Sequence, residues 1–325
     1  MSDGGEFGYI ARRLAPLAGK GALGLLDDAA LIEPPAGERL LVSADTLVAG
    51  RHFLIEDGLR LAARRALRVN LSDLAAMAAR PLGYLCCVTW PDEASDSDRA
   101  AFAEGLAEDQ ALFGVSLLGG DTTRGPGPLT ITITVLGSAP AGKAVLRSGA
   151  QPGDVLLVTG AIGDGRLGLQ AALGELDIDA DEARALRQRY RLPDPRLEAG
   201  KALQRFANAA VDVSDGLIAD AGHLALASGL ALDIDLEAVR LSDAARSWRV
   251  RRPDPVVATA WLASGGDDYE LACAVAPADV EGFMAACQAV DLPATPLGAF
   301  SHGKGVSTRW GAEPVKVDRA GFTHF

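Results

Sequence analysis

The chain has little with which to hold a soft metal, a disulfide framework or a nucleic acid. Only four cysteines occur among 325 residues (Cys86, Cys87, Cys273 and Cys287), and no two of them stand as CxxC. That spacing excludes a zinc ribbon or a dithiol redox motif and leaves buried free thiols in a reducing compartment as the expected state. Basic residues are also scarce: 31 Lys and Arg against 43 Asp and Glu give a net charge of −12. Such a balance argues against a nucleic-acid partner, which is held through its phosphate backbone by basic surfaces. No apolar run approaches the roughly 18–20 residues that span a bilayer, and MSDGGEFGYIARRLAP lacks a signal-peptide hydrophobic region. A cytoplasmic protein is expected. There is no P-loop, and Gly160–Gly165 reads GxxGxG, not the dinucleotide-binding GxGxxG.

What is present fits a compact α/β protein: 49% hydrophobic residues and 37 glycines. Apolar residues at helical spacing predict helices over Glu6 to Leu17, Leu59 to Ala79, Ser97 to Phe113, Asp181 to Tyr190, Leu217 to Ser228 and Glu281 to Val290, with others from about Arg166 and in EAGKALQRFA. Strands are expected at ERLLVSAD, around Thr46 to Phe53 after a hairpin-sized gap, and at YLCCVTWP, VSLLGG, LTITITVLG, DVLLVTG, AAVDVSD, LALDIDL, YELACAVA and TPLGAFS. Strands and helices alternate in both halves, the pattern of α/β layering. The Gly- and Pro-containing break at SGAQPGD marks two domains, 1–142 and 143–325.

Acidic residues stand in short patches at or near the ends of apolar runs, or inside a helical one: Asp27–Asp28, Asp45, Asp73, Asp121 and Asp212. Carboxylates so placed are costly unless a cation meets them. With no matching set of lysines, the economical partner is a hard divalent cation, Mg²⁺, carried in with a phosphorylated substrate. Each patch has a plainer alternative: a cap or turn for Asp27–Asp28, a hairpin turn for Asp45, and a solvated helix face for Asp73. Asp73 follows Asn70 by three residues, so the two share a face. Gly119–Gly125 reads either as a phosphate-approaching segment with Asp121 and Arg124 or as a polar loop. Ser214 and Asp215 suit a helix N-cap, which is also an anion site. Arg147 is placed to reach a phosphate or is solvated; His52 follows the VSADT turn; His223, among leucines at helical spacing, reads as structural.

Together, GEFGYIARRLAP, LLVSADTLVAGRHF, ALRVNLSDLAAMAARP, LGGDTTRGP, RSGAQPGD, DVSDGLIADAGHLA, SGGDDYEL and AGFTHF resemble the thiamine-monophosphate kinase family from end to end. That family belongs to an ATP-using superfamily with aminoimidazole ribonucleotide synthetase, selenophosphate synthetase and the hydrogenase-maturation dehydratase. The resemblance implies an α/β (α+β) fold. An N-terminal ATP/Mg-binding domain would carry a mixed sheet with helices on one face that pairs in a homodimer, and a C-terminal α/β domain would complete the active-site cleft. It implies direct in-line phosphorylation of thiamine monophosphate to thiamine diphosphate, with several Mg²⁺ ions and no covalent nucleophile. By position, Asp28, Ser43, Ala44, Asp45, Asp73, Asp121, Asp212 and Asp215 would hold metal. Gly120, Asp121, Arg147 and Ser214 would contact ATP, and His52, Asp267 and Phe322 the thiamine phosphate. Three residues depart from the family pattern: Leu26 replaces glycine, Ala44 replaces threonine and offers only its carbonyl, and Asp267 is shorter than the usual glutamate. Two other readings follow from the same residues: a superfamily relative that phosphorylates a carbonyl or amide oxygen, and a catalytically silent Mg–nucleotide-binding module.

Overall fold

The computed structural model describes residues 5–323; the last two residues of AGFTHF and the first four of the chain lie outside it. The chain divides into two compact units, Met1–Leu74 with Ala79–Gly142, and Ala75–Ala78 with Lys143–Phe325.

In the first unit, a helical turn α1 (Glu6–Tyr9) continues as irregular helical turns to Leu17, and then come β1 (Glu38–Val48), α2 (Leu59–Ala76), β2 (Arg80–Pro91), α3 (Asp96–Phe113), β3 (Leu117–Gly125) and β4 (Thr130–Pro140). The sheet runs β1-β4-β2-β3. Its β1–β4 and β4–β2 pairs are antiparallel and its β2–β3 pair is parallel, so the sheet is mixed. One face carries the helices: Trp90 of β2 packs edge-on against Phe102 of α3 at 5.3 Å, and the Tyr84 hydroxyl donates to Gln110. The helix α3 starts where the sequence says it should, because Ser95 and Asp98 form a reciprocal capping box. Gly105 lets the two helices touch, since a Cβ there would lie 2.2 Å from the Arg60 carbonyl oxygen.

The strand expected separately around Thr46 to Phe53 is not separate: one strand covers Glu38–Val48 with no hairpin, which removes the turn alternative for Asp45. The loop alternative for GGDTTRG goes too, because the segment lies within β3. In both places the pairing partner, β4 or β2, supplies the ladder that polar and glycine residues would not build alone.

The second unit contains β5 (Val155–Thr159), α4 (Asp164–Leu173), α5 (Ala180–Arg191), α6 (Gly200–Phe206), β6 (Ala207–Asp212), α7 (Leu217–Ser228), β7 (Leu230–Asp235), α8 (Asp243–Val250), α9 (Pro255–Ala263), β8 (Leu271–Val275), α10 (Val280–Gln288), β9 (Ala294–His302), β10 (Gly305–Trp310) and β11 (Glu313–Pro314). The sheet order is β11-β10-β7-β9-β5-β8-β6, with only β10–β7 parallel. Leu156, Leu217, Leu224, Ile234 and Phe300 form its core. The helices α8 and α9 and the strands β10 and β11 were not foreseen. The signals for α9 were legible: Asp254 accepts from the backbone N–H groups of Val256 and Val257, and Pro255 occupies the first helical position.

Candidate active site

In the first unit, β1 and α2 bring three of the expected metal ligands together. The Ser43 hydroxyl donates to Asp73 Oδ2 at 2.6 Å, and the Asp45 backbone N–H donates to Asn70 Oδ1 at 2.9 Å. Asn70 is held in turn by donating to the Ala66 carbonyl. The helical spacing of Asn70 and Asp73 therefore does what the sequence implied and aims both at β1. His52 follows the same strand; its Nδ1 accepts from Val48 N–H at 2.9 Å, which puts the ring proton on Nε2. Asp28 is exposed on a bend beside Leu26, itself 90% exposed, so the departure at Leu26 places an apolar side chain in solvent.

Asp121 is not with this group. It lies on β3, the opposite edge of the sheet from β1. Three inter-strand spacings separate the edges, roughly 14 Å at 4.7–4.9 Å each. The faces differ as well: Asp45 is the register partner of buried Ile133, whereas Asp121 is that of exposed Cys87. Gly120 is required where it stands. Its φ is +148°, and a Cβ would fall 1.8 Å from the Cys86 carbonyl oxygen.

Cys87 corrects the expectation that all thiols are buried, because alternation along β2 turns it outward while Cys86 points in. Cys273 and Cys287 are buried too, and burial raises the thiols of Cys86 and Cys273 and pushes that of Cys287 up to about 11. Iodoacetamide at about pH 8 should therefore modify Cys87 alone in the folded protein, since only an accessible thiolate reacts. Peptide mass spectrometry reads this out, and labelling of the other three before unfolding contradicts it.

In the second unit, Asp212 ends β6 and is 4% exposed. The expected Ser214–Asp215 cap is absent. Gly216, at φ +134°, occupies the N-cap of α7, and the carboxylate serving it is Asp220, which accepts from the N–H groups of Asp215 and Gly216. Burial pushes the Asp220 carboxyl up to about 7. The segment after α9 runs alongside Val213 and Ser214: Asp267 N–H donates to Ser214 O and Tyr269 N–H to Val213 O, both at 2.8 Å. Phe322 is tied to Asp215, whose carbonyl accepts its N–H at 2.9 Å. Asp212, Ser214, Asp215, Asp267 and Phe322 thus share one region. Arg147 is exposed, one residue beyond Leu146, whose carbonyl accepts from Ala210 of β6. His223 is not structural, as it is exposed on α7 beside Leu226. Asp220, Asp268 and Glu270 were not singled out from the sequence, and nothing in the spacing of DDYE distinguishes its buried members from its open ones.

The donor set is oxygen throughout. Among the described residues no three His, Cys, Asp or Glu side chains gather into a ready metal cage.

The N-terminal domain of the AIR synthase related protein family matches residues 26–139, and the C-terminal domain of that family matches residues 151–311. The thiamine-monophosphate kinase of Caulobacter vibrioides is 48% identical over 98% of this chain and 90% of its own length. A solved thiamine-monophosphate kinase from Stenotrophomonas maltophilia is 38% identical, with a TM-score of 0.81 over 90% of this chain and 91% of that one. The structure of AaThiL complexed with AMPPCP and TMP is 30% identical, with a TM-score of 0.79 over 99% of this chain and 97% of that one. The chain belongs to the AIR synthase related family and, within it, to the thiamine-monophosphate kinases.

Proposed function

We propose that this protein transfers the γ-phosphoryl group of ATP directly to the phosphate of thiamine monophosphate, forming thiamine diphosphate. The observation that carries this reading is the end-to-end match, over 99% of the chain, to a relative complexed with AMPPCP and TMP. Phosphoryl transfer asks mainly for positioning and charge neutralisation, so no nucleophilic side chain is needed. When bound, Mg²⁺ supplies the positive charge that two anionic substrates require on a chain of net charge −12.

In this reading Asp45 and Asp73, with Ser43 between β1 and α2, hold Mg²⁺; Ala44 contributes only its carbonyl, and Asp28 is an outer ligand. Within the second unit, Asp212 and Asp215 are assigned to metal, and Ser214 and Arg147 to ATP. His52, Asp267 and Phe322 receive thiamine monophosphate. Asp121 and Gly120 stand too far from Asp45 to share an ion with it in one chain, because Mg²⁺ holds its oxygens at only about 2.0–2.1 Å. We infer that they act on the site of a second copy, in a homodimer joined through the N-terminal sheets. The edge strand β1 favours such pairing, since Leu40 and Val42 are 42% and 62% exposed on it. Cytoplasmic residence suits the substrates, and no described helix is long and apolar enough to cross a membrane.

The direct test is purified protein with Mg–ATP and thiamine monophosphate, with thiamine diphosphate measured by chromatography. Wild type forms product, while Asp45→Asn lowers the rate by about 10²–10³-fold, the loss typical of removing one preorganised charge-stabilising group. No product from wild type, or equal rates from both proteins, rejects the assignment.

A further inference from the structure

The segment Gly265–Glu270 alternates in role. Asp267 and Tyr269 are half-open, whereas Asp268 and Glu270 are 1% and 0% exposed. Asp267 and Tyr269 both have left-handed backbones, with φ of +72° and +52°. Aspartate tolerates that conformation better than most residues, but two such positions so close together, one of them a tyrosine, persist only where the surroundings impose them.

The buried pair supplies the imposition. Asp268 accepts from Gly163 N–H at 2.8 Å with one oxygen and from Gly165 N–H at 2.9 Å with the other. It thereby caps α4, whose own N-cap, Gly163, has no side chain to do so. Glu270 accepts from the Thr159 hydroxyl at 2.8 Å and from the guanidinium groups of Arg189 and Arg196. The fit leaves no slack: a Cβ on Gly165 would lie 2.3 Å from Asp267 O, and one on Gly266 would lie 2.3 Å from Ser214 O. Between the anchors, the Tyr269 hydroxyl donates to Asp267 Oδ1 at 3.3 Å.

We propose that Asp268 is a positioning residue for thiamine monophosphate. By fastening the loop to the start of α4 it holds Asp267 in its left-handed backbone, with the carboxylate presented to the substrate. This rests on the reading of Asp267 as a substrate-binding residue. The nearly isosteric Asp268→Asn keeps one acceptor oxygen and turns an amide N–H toward the other backbone N–H, so one anchor is lost.

Steady-state kinetics of Asp268→Asn, Asp267→Asn and the double variant test the proposal. Asp268→Asn should raise KM for thiamine monophosphate about tenfold, the equivalent of one hydrogen bond to a charged group, with KM for ATP changed less than about twofold. Because Asp268 acts through Asp267, the double variant should be no worse than Asp267→Asn alone. If Asp267→Asn shifts KM for thiamine monophosphate but Asp268→Asn does not, the positioning role is wrong and the substrate site stands. Equal rises in both KM values, or effects that multiply in the double variant, also overturn it by reducing Asp268 to a general structural part. If Asp267→Asn itself leaves KM unmoved, the substrate-site reading fails first and takes the positioning role with it. Should Asp268→Asn not fold, Asp268→Ser, whose hydroxyl accepts from one N–H at a time, takes its place under the same criteria.

Discussion

Chains carrying Asp45→Asn and chains carrying Asp121→Asn, each inactive alone, recover kinase activity when refolded together. The reason is the strand order β1-β4-β2-β3, which puts the two carboxylates on opposite edges of one sheet and, by register, on opposite faces. If a site takes Asp45 from one copy and Asp121 from the other, a mixed dimer has one site with both substitutions and one with neither. Random pairing of equal amounts makes half the dimers mixed, so the mixture should reach about a quarter of the wild-type rate in a two-fold symmetric assembly. If both residues serve the same copy, every site in the mixture keeps one lesion and nothing is recovered. The measurement is thiamine diphosphate formed per total refolded chain before and after co-refolding, with each variant refolded alone as the control. A mixture no better than its components removes the shared site and leaves Asp121 without a role in metal binding.

This prediction also marks where sequence reading ends. Asn70 and Asp73 were legible as a pair because their relation is local, three residues on one helix, and the structure aims both at β1. The grouping of Ser43 with Asp73 is a contact over 30 residues, and the separation of Asp45 from Asp121 depends on which strands are neighbours. Neither follows from periodicity. For Asp45, at the end of the expected strand ERLLVSAD, a turn stays open as an alternative because Ser-Ala-Asp is weak strand sequence; pairing with Thr132, Ile133 and Thr134 of β4 carries the strand through it. The cap of α7 misled for a related reason. Ser214 and Asp215 have the right chemistry, but the N-cap position falls on Gly216, so neither stands where its side chain would cap, and the free N–H groups fall to Asp220 from inside the helix. Local spacing set which residues share an element; long-range pairing decided which of them meet.

Asp109→Asn should destabilise the first unit by roughly 3–5 kcal/mol, the usual cost of removing one partner from a buried ion pair. Asp109 on α3 is fully buried and receives Arg68 Nε at 2.6 Å and Arg64 Nε at 2.9 Å, both from α2. Arg68 is itself only 7% exposed, so its guanidinium cannot turn to water when the carboxylate is lost. Arg64 keeps Glu108 at 2.8 Å, and Arg68 keeps its place over the Phe113 ring at 5.1 Å, but neither contact replaces the buried carboxylate. A second arm separates the charge from the packing. Replacing both members, Asp109→Leu with Arg68→Leu, removes the buried charges and fills their space with apolar groups, which is often neutral or better for a buried pair. The double variant should therefore regain most of the stability lost by Asp109→Asn. Hydrogen exchange of the α2 and α3 amides measures both; unchanged protection in Asp109→Asn, or a double variant worse than the single, rejects the account. Activity should follow the same order. The helix held by this pair carries Asn70 and Asp73, so loosening it should cost rate through the proposed metal site, while the apolar double variant, which restores the helix without the charges, should restore the rate as well.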